Sequence, residues 1–458
     1  MVQLRYRQFF RHSLAISTGL ASLFTQTSCQ FTNPLSSSSI NGLAQSVSEV
    51  HGPSANPAAG HFPSPTPIQV VSPIIPVPSA TPTPASTTEP ASYSAPIVID
   101  HGGTYTGNWM SMNMDVPAVK VATSEPVIIQ NCHIAGNGDG IWSPWSMANI
   151  TVRNCSFHGR APNVDNRERG RAISIPMYKN LIVENNYFEN TGSVVSTDLY
   201  SGNGTTETLI IRFNRVRNID GRFRNGTGRQ LVNFVQQMNY TQAQGNPGGA
   251  EIAWNDVINL PDESSTEDLI NFYQAGGRAN SPFKVHDNFL KGSYPNPSTN
   301  SEATGSGIQI DGKDHNRTAY IEVYQNTVMD TLNGGMGMAA GSNVRMHHNR
   351  IISSGKFPNG SWIPGNFAGV WIFDYYGSSA VGTMHDNAID NNVIGWANPN
   401  YTKPYANRLD WYSNLGNGIQ NNIQLPDSPI TLQMEADEYQ TFLQKVETSH
   451  IKIGPQRP

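Results

Sequence analysis

Charge is scarce in this chain. Of 458 residues, 29 are Lys or Arg and 34 are Asp or Glu, a net of −5. That balance excludes a protein that grips nucleic acid by bulk electrostatics and leaves room only for a local basic patch. Cysteine is scarcer still. Cys29, Cys132 and Cys155 are too few for a disulfide scaffold, and no C-x-x-C pair indicates zinc. The apolar stretch from Leu14 to Phe24 is too short to span a bilayer. No phosphate loop, Ser nucleophile elbow or H-E-x-x-H is present. What the chain has in quantity is Gly, 41 residues of it, and Asn, both of which favour turns over helices.

Residues 1–29 read as an export signal: Arg5, Arg7 and Arg11 precede that short apolar stretch. It ends at Thr27-Ser28-Cys29, similar to the cleavage site of bacterial lipoproteins, although Gln26 stands where those signals carry Leu, Val or Ile. Lipidation of Cys29 is left open. Residues 30–96 read as a linker; thirteen of the 64 residues from 33 to 96 are Pro, with Ser, Thr and Ala between. Such a segment buries too little apolar surface to fold and stays extended. Signal, spacer and globular domain together predict display at the cell surface or outside the cell.

From residue 97 one phrase recurs. The copies are VIIQNCHI (127–134), ITVRNCSF (150–157), LIVENNYF (181–188), LIIRFNRV (209–216), AEIAWNDV (250–257), FKVHDNFL (283–290), IEVYQNTV (321–328), VRMHHNRI (344–351) and GTMHDNAI (382–389), with a weaker NGIQNNIQ at 417–424. Positions three and eight are apolar in all nine full copies, and positions one to four alternate as in a strand with one buried face. Position six is Asn except for Cys132 and Cys155, and we read it as the left-handed residue of a tight bend. A further short strand precedes most copies: RAISI (171–175), LVNFV (231–235), LINFY (269–273), GIQID (307–311), GMGM (335–338) and GVWIF (369–373). Three short strands per turn predict an all-β fold, a parallel β-helix solenoid of about ten coils over 97–425. Coils stacked ~4.8 Å apart place equivalent residues in columns, with an Asn ladder inside one bend. Cys132 and Cys155 then lie close; two small buried residues completing the ladder is favoured over a disulfide. Residues 426–458 hold Leu432, Ala436, Tyr439, Phe442 and Val446 at helical spacing, a helix that caps the open end or docks on the side.

The Asn column and the apolar positions resemble the right-handed parallel β-helix, or pectin-lyase-like, superfamily. Its members include lyases, hydrolases, epimerases, adhesins and tailspikes, so the resemblance specifies fold far better than activity. It implies that a sugar polymer would lie on the outer face of the first sheet, which the upstream strands form. One outward column there reads Ser174, Asn233, Asn271, Gln309, Gly337, Trp371, and a second reads Pro176, Val235, Tyr273, Asp311, Ala339, Phe373. Amides and rings suit a carbohydrate. Candidate catalytic groups are Asp311, Lys313 and His315, with Asp374 two coils on, ~10 Å along the axis. Tyr375 and Tyr376 follow Asp374, and Tyr375 is a candidate sugar contact. Arg169 and Arg171 could clamp an anionic group. A column of His286, Tyr324, His347 and His385, with Asp287, His348 and Asp386 beside it, raises a metal reading, but solvent-facing ladders are commonly polar and no metal ligand is assigned.

The expected activity is thus that of an exported polysaccharide lyase or glycoside hydrolase; the alternative is a non-catalytic glycan-binding or surface-structural protein. The paired-Asp set of polygalacturonases and the Lys and Arg signatures of familiar pectate and alginate lyases are missing. The cofactor is unknown; a lyase would have a use for Ca²⁺ beside a uronate carboxylate. Polysaccharide is the expected partner, nucleic acid is not, a membrane is met only through lipid on Cys29, and the chain is expected to be a monomer.

Overall fold

The computed structural model describes residues 88–456, apart from 145–146, 227, 241–245, 302–304, 313–316, 399–409, 413–417 and 426–427; of 410–412 it gives the strand alone. The export signal, Cys29 and most of the linker lie outside the described residues. All described residues fall within the unit Ser79–Pro458.

Among the described residues the chain winds through three parallel sheets, each with eleven strands. Sheet one runs from Ile97–Ile99 to Asp410–Tyr412, sheet two from Gly103–Tyr105 to Gly418–Gln420, and sheet three from Asn108–Ser111 to Ile423–Gln424. The twelve-residue strand Ile173–Glu184 passes from sheet one into sheet two without a break. Every ladder between coils is parallel, as in Phe283–Ile321 and Val285–Val323 on sheet two. Inward side chains such as Ile252, Val285, Val323 and Met346 are fully buried and form one continuous core. The recurring phrase is therefore sheet two, a bend, and the start of sheet three.

The bend corrects the sequence reading. The left-handed residue is at position five, not six: Asn131, Asn154, Asn185, Phe213, Trp254, Asp287, Gln325, His348, Asn391 and Asn421 all have φ between 54° and 59°. For side chains as bulky as Phe213 and Trp254 this conformation costs ~1–2 kcal/mol each. The Asn at position six offsets it from inside. Asn288 donates Nδ2 to Ile252 O at 2.9 Å and to Asn326 Oδ1 at 2.9 Å, while its own Oδ1 accepts from Asn255. The same exchange runs unbroken from Asn186 to Asn422. Cys132 and Cys155 are buried and not joined by a disulfide; they donate Sγ to Gln130 O and Arg153 O, so they complete the ladder rather than bridge it.

The ninth phrase is also in a different frame. Arg345 pairs with Ala388 and His347 with Asp390, so the copy is NAIDNNVI (387–394) and its ladder residue is Asn392. Asn387 instead accepts from Val344 N at 3.0 Å.

Helix α1, Leu432–Thr448, starts on Thr431, whose hydroxyl accepts from Met434 N. It docks sideways on sheet three. Tyr439 and Phe442 pack on Ile258, Phe289 and Met329, and Arg350 holds Glu438. Lys291 lies between Asp330 at 3.1 Å and Glu435 at 3.3 Å. The tail continues back along the bends: Asn185 Nδ2 donates to Lys452 O, and Gln456 N to Asn154 Oδ1. At the other end, Ser94 pairs with Trp109 and so places the segment entering the first coil on the same sheet. The linker reading of 30–96 therefore ran too far; its last residues belong to the fold.

Candidate functional site on sheet one

Sheet one turns a nearly neutral face outward. Its central column, fixed by strand register, is Ser174, Ser196, Gln236, Asn271, Gln309, Gly337 and Trp371. Asn233 is not in it. The strand begins at Val235, so Gln236 takes that place. Asn233 is fully buried and donates Nδ2 to Asp268 O at 2.8 Å. By the same shift Met238 pairs with Tyr273, and Val235 belongs to the core. Trp371 lies over Gly337, where any Cβ would come within 2.4 Å of the indole and of Gln309 Oε1. The missing side chain is what lets the ring lie flat.

At the exit of this column the polar groups converge on Asp311, which stays partly exposed. Gln309 Nε2 donates to Asp311 Oδ1 at 3.0 Å, and Ser306 Oγ holds Gln309 Oε1 at 3.1 Å. Asn271 Nδ2 donates both to Asp311 Oδ2 at 3.3 Å and to Asp268 Oδ2 at 2.8 Å. Asp268 is buried and also accepts from Ser306 N at 2.7 Å. Burial, and then the charge of Asp268, push the Asp311 carboxyl up to about 7 despite the two amides. Burial likewise raises Asp268. The Tyr376 hydroxyl is pushed above its usual range by burial and by Asp311. The result is a carboxylic acid that exchanges a proton near neutrality beside neutral amides and rings, which is what acid–base chemistry on a sugar needs.

The other expected residues do not join it. Asp374 accepts from Ser378 N at 2.6 Å, Ser379 N at 2.9 Å and the Ser379 hydroxyl, pinning the turn that follows. Burial pushes its carboxyl up, but these donors outweigh burial and hold it below its usual range. Both oxygens are thus engaged, which removes it as the free partner of Asp311. Lys313 and His315 lie outside the described residues. Tyr375 is 51% exposed, with its ring edge-on to Tyr376 at 5.1 Å. Arg169 Nε pairs with Asp220 at 3.0 Å, and Arg171 donates its backbone N to Asp139. Arg171 enters the sheet four coils before Asp311, ~19 Å along the axis, so the arginines and the acid form separate regions.

On sheet two His286, Tyr324 and His347 do stack, with centroids 4.7 and 5.3 Å apart and planes within 12°. The next residue in the column is Asp390, bound to Arg345, and not His385. His286 is held by Asp287 and Glu251.

Residues 104–255 match the family model of the right-handed β-helix region. The chain is a right-handed parallel β-helix. A solved structure of a mannuronic acid specific polysaccharide family 6 lyase enzyme from human gut microbiota is similar to this β-helix at 13% identity, over 79% of this chain and 91% of that one, with a TM-score of 0.30. No curated protein matches.

Two acidic residues of the β-helix escaped the sequence reading. Asp268 precedes its strand by two residues and carries no phrase of its own. Asp198 leaves sheet one on Val195–Tyr200, a strand that no motif marked. Asn239 donates to it, yet burial raises its carboxyl. The signal available was slight, Asp268 before the apolar pair LI and Asp198 before a single Leu, too common to single out.

Proposed function

We propose that the β-helix acts on a polysaccharide lying on the outer face of sheet one, with Asp311 as the proton-transferring group. The observation that carries this reading is the Asp311 carboxyl, raised to about 7 and held by Asn271 and Gln309 on a face that stays accessible. Asn271, Gln309, Tyr273 and Trp371 supply hydrogen bonds and ring surface for sugar hydroxyls and C–H faces. Burial, and then the charge of Asp268, keep the proton on Asp311 up to about pH 7. We place the protein outside the cell, carried there by the N-terminal signal and held off the surface by the Pro-rich spacer.

A second reading, a glycan binder without catalysis, is favoured by Asp374. Its oxygens are held by its own turn, so Asp374 is not the unengaged second carboxylate of a two-carboxylate hydrolase. One experiment separates the readings. The full chain is incubated with plant, algal and bacterial polysaccharides, with and without Ca²⁺, while reducing ends and unsaturated-uronate absorbance are followed. New reducing ends, with or without unsaturation, that vanish in Asp311→Asn support the catalytic reading and tell hydrolase from lyase. Retention on a glycan column without cleavage supports the binder. Neither cleavage nor retention defeats both.

A further inference from the structure

The column that carries Asp311 carries a second carboxyl. Thr197 pairs with Gln237, Met238 with Tyr273, and Tyr273 with Asp311. Asp198, Met238, Tyr273 and Asp311 therefore succeed one another on the outer face of sheet one, and all four are partly exposed. Three rungs separate the two carboxyls, ~14 Å along the axis. Asp198 is held in place from the next coil: Gln237 Nε2 donates to its carbonyl at 3.0 Å, and Asn239 Nδ2 donates to its Oδ1. Among the described residues no donor reaches its Oδ2. Burial raises this carboxyl despite Asn239. A hydroxyl donated to it replaces water that it has already partly lost, where a hydrogen bond is stronger than in bulk solvent.

A strand turns alternate side chains outward, so each rung offers a ligand few of them. At the rung of Asp311 they are Gln309 and Asp311. A polymer crossing the sheet at that rung meets this pair. One that follows the columns meets a fresh pair at every step: Asn271 with Tyr273, then Gln236 with Met238, then Ser196 with Asp198.

We infer that Asp198 is a second sugar-binding group, three rungs from Asp311, which accepts hydroxyls from a distal ring of a glycan laid along the solenoid axis. This rests on the reading of sheet one as the polysaccharide face. Asn239 aims the carboxyl group, and Tyr273 and Met238 give the intervening rings an aromatic and an apolar floor. The free oxygen then rewards chains long enough to reach it.

The test uses the full chain with soluble glucan, xylan, mannan, alginate and pectate. Disaccharides of the same sugars, shorter than the distance from Asp311 to Asp198, serve for comparison. Binding is read by calorimetry, and KM and kcat wherever cleavage occurs. Wild type prefers polymer to disaccharide. Asp198→Ala loses ~10-fold of that preference, and the loss appears in KM, whereas Asp311→Asn lowers kcat. Should Asp198→Ala fail to fold, Asp198→Asn, which keeps the shape and one acceptor, gives a smaller loss in the same direction. Equal preference in wild type and the folded Asp198 variants, with binding or cleavage intact, overturns the assignment of Asp198 alone and points to a glycan lying across the coils. No binding of any of these glycans by wild type removes the polysaccharide reading and this assignment with it.

Discussion

Sheets one and three are built by the same coils, yet their outer faces have opposite fates. Sheet three presents Ile258, Phe289, Met329 and Ile352 outward, and the chain spends its own helix to bury them. Its early coils receive the incoming segment through Ser94 and Glu89. Among the described side chains sheet one presents Ser, Gln and Asn with Trp142 and Trp371, and the helix lies elsewhere. A parallel sheet needs its apolar faces covered. A neutral polar face with rings carries no such demand and remains available to a ligand. The composition of each outward column thus tells packing from function before any activity is known.

The comparison can be broken first at Asp311. If sheet one is the working face, Asp311→Asn lowers cleavage of the responsive polysaccharide ~10²–10⁴-fold, measured as initial rate, while the melting temperature does not fall. Phe442→Ala strikes the other face. It costs ~3–5 kcal/mol by urea unfolding and leaves glycan binding unchanged. Asn288→Ala removes a ladder residue that serves both faces; unpaired backbone groups in adjoining coils cost ~2–3 kcal/mol in the same assay. Trp371→Ala weakens glycan retention about tenfold, on the scale of one ring contact, with little change in stability.

The smallest effect is on the pH dependence, where the two regions carry opposite signs. Asp311 holds its proton up to about 7 in the folded chain but releases it near 4 when unfolded. The unfolded state therefore gains as pH rises from about 4 to 7, and stability falls over that window. Asp311→Asn removes this loss. Glu89 and Glu189 are lowered, so their contribution is present above the unfolded value and disappears as pH drops through the folded one. Thermal melts of Asp311→Asn and Glu189→Gln should converge on wild type near pH 3 and depart from it in opposite directions towards pH 8, Asp311→Asn more stable and Glu189→Gln less.

Much of this was legible in the chain. The apolar positions three and eight have to face inward in every coil, so they reveal the fold directly. Positions five and six are harder. Both carry Asn, and only the backbone shows that the outer one bends while the inner one bonds. The stretch GTMHDNAIDNNVI holds two overlapping phrases eight residues long, and both satisfy the apolar rule through Ile389. The ladder partner Asn349 chooses the second. LVNFVQQM failed for a like reason, since alternation fits either frame of a short strand. Asp311 was found because GIQID is a regular strand. Asp268 and Asp198 were not, because their weight comes from burial between coils distant in sequence.

The ladder has one more consequence. Each coil advances by the same ~4.8 Å whatever the length of its loops. From position-six residue to position-six residue, coils of 23 residues, as between Asn326 and Asn349, and of 43, as between Asn349 and Asn392, occupy equal steps. Distance along the molecule is therefore counted in whole rungs. Loop insertions can add chemistry at a rung without moving its neighbours, whereas gaining or losing a coil would translate Asp311 past Trp371 by a fixed stride. The fold works as a ruler whose markings can be rewritten one at a time while its scale stays constant.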